Sequence, residues 1–133
     1  LGSQLRTVED IMLSGNKIPF IHENLKMKKA LQILSKKKLG FLLIQDKKKL
    51  TKGIITDGQI RRFNEKKENL YTMSAKQVMT KNPISIDKDS LAVKALSLMN
   101  EKKITSLCVH NKKNKYKTIG ILHIHTLLQS SVN

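Results

Sequence analysis

Cysteine is almost missing from this chain: Cys108 is the only one in 133 residues. No disulfide can form within a monomer, so a disulfide framework is excluded and a reducing, cytoplasmic compartment is the expectation. Cys108 lies in the apolar run Leu107-Cys108-Val109 and reads as a buried thiol. No apolar run approaches the roughly 20 residues of a membrane-spanning helix, and no signal-peptide pattern opens the chain, so no membrane partner is expected. Arginine is also scarce: Arg6, Arg61 and Arg62 stand against 23 lysines. Tryptophan is absent and aromatic residues are 4% of the chain. Nucleic-acid readers use arginine for bidentate base contacts and aromatic rings for stacking, so the net charge of +16 reads as a solvated lysine surface, with nucleic acid an unlikely partner. The lysines cluster where loops are expected, as in Lys36-Lys37-Lys38 and Lys47-Lys48-Lys49. The chain opens on Leu1 and not on methionine, and a piece of a longer protein is the expectation.

What is present is a repeat. Thr7-Val8-Glu9-Asp10-Ile11-Met12 recurs as Ser74-Ala75-Lys76-Gln77-Val78-Met79. In each, a hydroxyl residue is followed three places later by a carboxylate or amide, the pattern of a helix-capping box. Each short helix is expected to stop before an X-Pro, Ile18-Pro19 and Asn82-Pro83, with an extended segment following. Met27, Ala30, Leu31 and Leu34 then fall at helical spacing, and Ala92, Ala95, Leu96 and Met99 repeat it 65 residues later. Asn24 and Asp89 or Ser90 are the expected caps of these helices. Lysine-rich turns lead to apolar strands, Phe41–Ile44 and Leu107–Val109. Glycine-led strands, Gly53–Thr56 and Gly120–His123, and terminal helices, Gln59–Phe63 and Thr126–Gln129, complete each unit. A single helix with three short strands cannot bury both faces alone, so two units should pack together. The spacing predicts an α+β fold in two parts: residues 1–63 with a lead-in helix, a polar linker over 64–73, and residues 74–133.

Two tandem β-α-β-β-α units of this size resemble a CBS-domain pair, or Bateman module, in which the repeats pack with pseudo-two-fold symmetry. The doubled edge of Gly53-Ile54-Ile55-Thr56-Asp57-Gly58 and Gly120-Ile121-Leu122-His123 carries most of the resemblance. A narrower similarity is to the C-terminal CBS pair of the D-arabinose 5-phosphate isomerases, sugar isomerases of the octulosonate and lipopolysaccharide precursor pathway. It rests on Leu1-Gly2, Val8-Glu9-Asp10-Ile11-Met12, Ile18-Pro19, Thr56-Asp57-Gly58 with Arg61-Arg62, Ile104-Thr105-Ser106 and His123-Ile124-His125. In that family the catalytic domain precedes the CBS pair. The resemblance therefore implies a regulatory fragment with an attached sugar-isomerase domain, no active site of its own and no cofactor.

No catalytic constellation is legible. Ser106 and His110 share a strand face roughly 13 Å apart with no acid to orient them. His123 and His125 would share a face if the strand continued, but two histidines fall short of the four ligands of structural zinc; help would have to come from His22, His110 or another subunit. In CBS pairs a hydroxyl at the strand end contacts phosphate or ribose, and an aspartate three places on accepts both ribose hydroxyls. Thr56 matches the hydroxyl, but Gln59 replaces the aspartate; His123 and Thr126 replace both in the second unit. Adenosine nucleotides are expected to bind weakly or not at all at the first cleft. The resemblance and the free N–H groups of a helix start nominate Thr56, Asp57, Gln59, Arg61, Arg62, Pro83, Ile84, Thr105, Ser106, His123 and Thr126 as ligand-binding residues, for an anionic nucleotide or sugar nucleotide such as an activated octulosonate. The alternative is a purely architectural module that dimerises. Ile60, Phe63, Leu127 and Leu128 on the terminal helices are the apolar residues expected to face a second copy.

Overall fold

A computed structural model describes residues 6–66 and 69–132; Leu1-Gly2, and Lys67 and Glu68 of the expected linker, lie outside them. The chain divides into two compact units, Pro19–Pro83 and the combination of Leu1–Ile18 with Ile84–Asn133. The lead-in helix thus packs with the later sheet, and residues 69–83 pack with the earlier one.

The unit Pro19–Pro83 holds a four-stranded sheet in the order β2-β3-β4-β5, formed by Phe20–His22, Phe41–Gln45, Thr51–Thr56 and Thr80–Lys81. β2 and β3 are parallel, joined through helix α2 (Met27–Lys37); the other pairings are antiparallel. Helix α3 (Asp57–Glu65) follows β4 without a loop, and the short helix α4 (Ala75–Val78) precedes β5. The residues expected as a linker close α3 and then form a 3-10 turn at Leu70–Thr72. Its Leu70 is buried in the core with Ile21, Met27, Ala30, Leu34, Leu42, Ile44 and Ile55.

The other unit repeats this plan. Its sheet runs β1-β8-β7-β6, from Leu13–Ser14, Gly120–His123, Ser106–His110 and Ser85–Asp87. Helix α5 (Ala92–Lys102) covers the core of Ile86, Ala95, Met99, Leu107, Val109 and Leu122, and helices α1 (Val8–Ile11) and α6 (Ile124–Val132) add Val8 and Leu127. Leu127 is therefore a core residue and not a surface one; Leu128 is 43% exposed.

The two-residue strands β1 and β5 were not expected, and the glycines explain them. A Cβ on Gly53 would stand 2.5 Å from the Met79 sulfur and 2.7 Å from the Thr80 carbonyl oxygen. One on Gly120 would overlap the Met12 sulfur. Each glycine opens a notch that the methionine fills, so the chain just after it can pair with the strand: Gly53 opposite Lys81, and Gly120 opposite Ser14.

The capping boxes of α1 and α4 form, with Asp10 Oδ2 accepting from Thr7 N at 3.0 Å and Gln77 Oε1 from Ser74 N at 2.8 Å. The long helices start later than expected. Lys26 and Leu91 occupy their N-cap positions, not Asn24, Asp89 or Ser90, and neither caps through its side chain. Tertiary backbone contacts replace the caps: Met27 N donates to Met73 O and Ala92 N to Arg6 O, both at 2.8 Å. In return, Ala75 N donates to Leu25 O and Val8 N to Ser90 O, again at 2.8 Å. These bonds satisfy the orphan donors of helix starts in both units by the same arrangement.

Candidate functional site

The strand-to-helix edge that the sequence singles out is formed in both units, by different chemistry. Thr56 ends β4 in extended conformation and caps α3, its Oγ1 accepting from Gln59 N at 3.3 Å. Gln59 Oε1 in turn accepts from Thr56 N at 3.0 Å, completing a capping box. The remaining end of that amide is also engaged, Gln59 Nε2 donating to Val78 O at 3.2 Å. Gln59 therefore ties α3 to the end of α4. Asp57 N donates to Gly40 O at 3.0 Å, and Gly40 takes a left-handed φ of 81° to present that carbonyl. Asp57 and both arginines are exposed. Arg62 turns back toward the helix start, its Nη1 3.5 Å from where a Cβ on Gly58 would stand.

Beside this edge lies an open pocket of about 200 Å³ lined by Gln59, Arg62, Phe63, Lys66 and Thr80. Gln59 and Arg62 are two of the residues nominated from sequence; Thr56, Asp57 and Arg61 are not among its lining. Lys66 and Thr80 were missed. Lys66 is one helical turn beyond Arg62, a spacing that could have flagged it. Thr80 arrives through the pairing of Ile54 with Thr80, which has no local signal.

In the other unit the corresponding backbone bond is kept: Ile124 N donates to Thr105 O at 2.9 Å. The strand ends at His123, so His125 sits in the first turn of α6 and the two rings do not share a strand face. His123 takes over the capping role, Nδ1 accepting from His125 N at 3.1 Å, and the ring centroids stand 4.8 Å apart. That bond requires Nδ1 to be unprotonated. Burial, and then the neighbouring His125, hold the His123 pKa below the ordinary 6.5. Ser106 is the cross-strand partner of His123, and Thr126, half-buried, follows in α6. Ile84 O accepts from Cys108 N at 3.1 Å as β6 begins. Pro83 closes the other unit. Burial pushes the Cys108 thiol up to about 12, a hydrogen bond with Thr118 acting in the opposite direction, so this cysteine is no nucleophile. Among the described residues no three His, Cys, Asp or Glu side chains are grouped to hold a metal ion, and no helix is long and apolar enough to cross a membrane.

Two units with the same β-α-β-β-α plan, each ending in a strand that passes directly into a helix, define a tandem-repeat module. The chain belongs to the CBS domain family, which matches it twice, over residues 8–66 and 75–133. It is 37% identical over its whole length to an uncharacterised protein of Rickettsia prowazekii, covering 40% of that protein. It is 35% identical over 96% of its length to the arabinose 5-phosphate isomerase KdsD of Escherichia coli K12, covering 38% of that enzyme. The chain thus spans about two fifths of the length of these relatives. Among solved structures, the fold matches that of CBSX2 in complex with AMP at a TM-score of 0.83 and 22% identity, over 95% of this chain and 96% of that one.

Proposed function

We propose that this CBS pair is the regulatory part of a cytoplasmic sugar-phosphate isomerase of the arabinose 5-phosphate type, and that it senses an anionic nucleotide or sugar nucleotide. The observation that carries the reading is the similarity to KdsD, at 35% identity across nearly the whole chain. The catalytic domain would then lie in the part of the parent protein that this chain does not span. The anionic character of the ligand is supported by two cationic side chains, Arg62 and Lys66, lining one pocket with no acidic residue. CBSX2 is described with AMP; here Gln59 is held by two backbone partners, which argues against a ribose grip at that position.

The test is a thermal-shift series on the 133-residue chain with AMP, ATP and a nucleotide-linked octulosonate. Stabilisation should follow RT ln(1 + [L]/Kd), about 2.7 kcal/mol at a hundredfold excess over Kd. An acidic sugar nucleotide should raise the melting temperature most. No shift with any of them would favour the architectural reading, in which the module pairs catalytic domains; light scattering at micromolar concentration would then have to show a stable dimer.

A further inference from the structure

The long helices α2 and α5 hold equivalent places in their units but show different residues to solvent. A shift of 65 residues sets Lys26 against Leu91, Lys28 against Val93 and Leu31 against Leu96. Lys26 and Lys28 are exposed, as charged residues on an outer helix face ordinarily are. At the same places α5 exposes Leu91 at 41% and Val93 at 53%, and Leu96, three residues beyond Val93 on the same face, is half-buried. Valine is one of the poorer helix formers, so propensity does not account for it at an exposed helical position. Single apolar residues on a surface need no explanation, but these are grouped, and the other unit has lysine at two of the three places.

The unit Pro19–Pro83 shows what lies on this face. The residues that lead into its short helix α4 form the 3-10 turn Leu70–Thr72, which packs against α2. Leu70 is buried in one core with Met27, Ala30 and Leu34, and Tyr71 lines a groove with Lys28, Leu31 and Ser35. Met73 follows, its carbonyl accepting from Met27 N, and Ser74 forms a bridge with Lys26. In the other unit Arg6 stands at the place of Met73: its carbonyl accepts from Ala92 N at 2.8 Å, and Thr7 forms the bridge with Leu91. The polypeptide therefore enters α1 across the start of α5, beside Leu91 and Val93. Arg6 is the first residue described, and the sequence before it has apolar residues to offer in Leu1 and Leu5.

We propose that the α5 face of Leu91, Val93 and Leu96 seats the connector that leads into Arg6 from the rest of the parent protein, as the face of α2 seats Leu70 and Tyr71. The inference rests on the reading that this chain is the regulatory part of a longer enzyme, and it names the surface that anchors the preceding part. A connector held along α5 fixes the direction in which the catalytic domain leaves the CBS pair and couples any movement of α5 to that domain.

Photo-crosslinking and thiol labelling of the full-length parent protein test it. p-Benzoylphenylalanine at position 93 should crosslink within one chain to the tryptic peptide that ends at Arg6 or to the one before it. The same probe at position 28 should reach the peptide that contains Tyr71. Val93→Cys should react with a maleimide at least tenfold more slowly than Lys28→Cys, followed peptide by peptide. Val93→Lys, which restores the residue type of the other unit, should speed trypsin cleavage after Arg6 at least fivefold. Equal labelling at positions 93 and 28, or a crosslink from position 93 to a peptide remote from residue 6, would overturn the proposal. So would a covalent dimer through position 93, or protection there that is lost on dilution, since a second copy would then be the occupant. Arabinose 5-phosphate isomerase activity of the same preparation separates this from the parent reading. An inactive protein with the position 93 crosslink overturns that reading and keeps this one, and an active protein with position 93 freely labelled does the reverse.

Discussion

At the scale of single residues, the strand-to-helix edge of each unit is capped by one or two side chains, and Gln59 carries a double duty. Gln59 accepts from Thr56 N and donates to Val78 O, so its loss removes a cap and a tertiary tie together. Gln59→Ala should cost about 1–2 kcal/mol by chemical denaturation. Gln59→Asp can keep the cap, as Asp10 does in α1, but has no donor for Val78 O, and should lose about 1 kcal/mol. A variant as stable as the parent would show that the Val78 bond is not made in solution. His123 caps the helix start in the other unit, as Thr56 does for α3, and adds a pH dependence. Its folded pKa lies below the unfolded value of 6.5, so the neutral cap's contribution is fully present above pH 6.5 and is lost as pH falls through the folded value. The melting temperature should therefore drop between pH 7.5 and 5. His123→Asn, which caps without titrating in that range, should flatten the profile. An unchanged slope in the variant would assign the dependence to other groups.

At the scale of elements, the glycine notches and the helix ends set the limits. Gly53→Ala forces a Cβ against both the Met79 side chain and the Thr80 backbone, and only the first can move aside. The β4–β5 pairing should open, at about 1–3 kcal/mol, visible as faster hydrogen exchange at Ile54 and Lys81. The long helices both end on a lysine in left-handed conformation, Lys38 and Lys103, each with φ 57°. A side chain there costs about 1 kcal/mol relative to glycine, partly offset by glycine's greater freedom in the unfolded chain. Lys38→Gly and Lys103→Gly should each stabilise by about 0.5–1 kcal/mol, measured by urea denaturation. A loss of stability would mean that the lysine stems pack on the helix end.

At the scale of the whole molecule, the order of the sequence and the order of the packing differ. Val8 is fully buried, but in the core built from residues 84–133. Val8→Ala should cost about 2 kcal/mol from two lost methyl groups and the cavity they leave. Its effect on hydrogen exchange should appear first in β8 and α6, not in β3 and β4, although the latter follow it sooner in the chain. Loss of protection in β3 and β4 alone would refute this assignment of the lead-in helix.

The sequence by itself determined the main helices and strands and their duplication, because the signals involved are local; the short strands β1 and β5 were not among them. Helical spacing in Met27, Ala30 and Leu34, the three-residue capping pairs at Thr7 and Ser74, and the X-Pro stops act over a single turn or dipeptide and need no distant partner. Tertiary structure alone decided which sheet receives residues 6–18 and 69–83, how the first N–H groups of α2 and α5 are satisfied, and that Gln59 reaches Val78 O. Backbone groups carry no residue-specific code, so a helix start with no capping side chain looks uncapped until the carbonyl of Met73 or Arg6 is brought beside it. The pocket shows the same division. Arg62 and Lys66 are neighbours by helical geometry, whereas Thr80 joins them only because β5 pairs with β4.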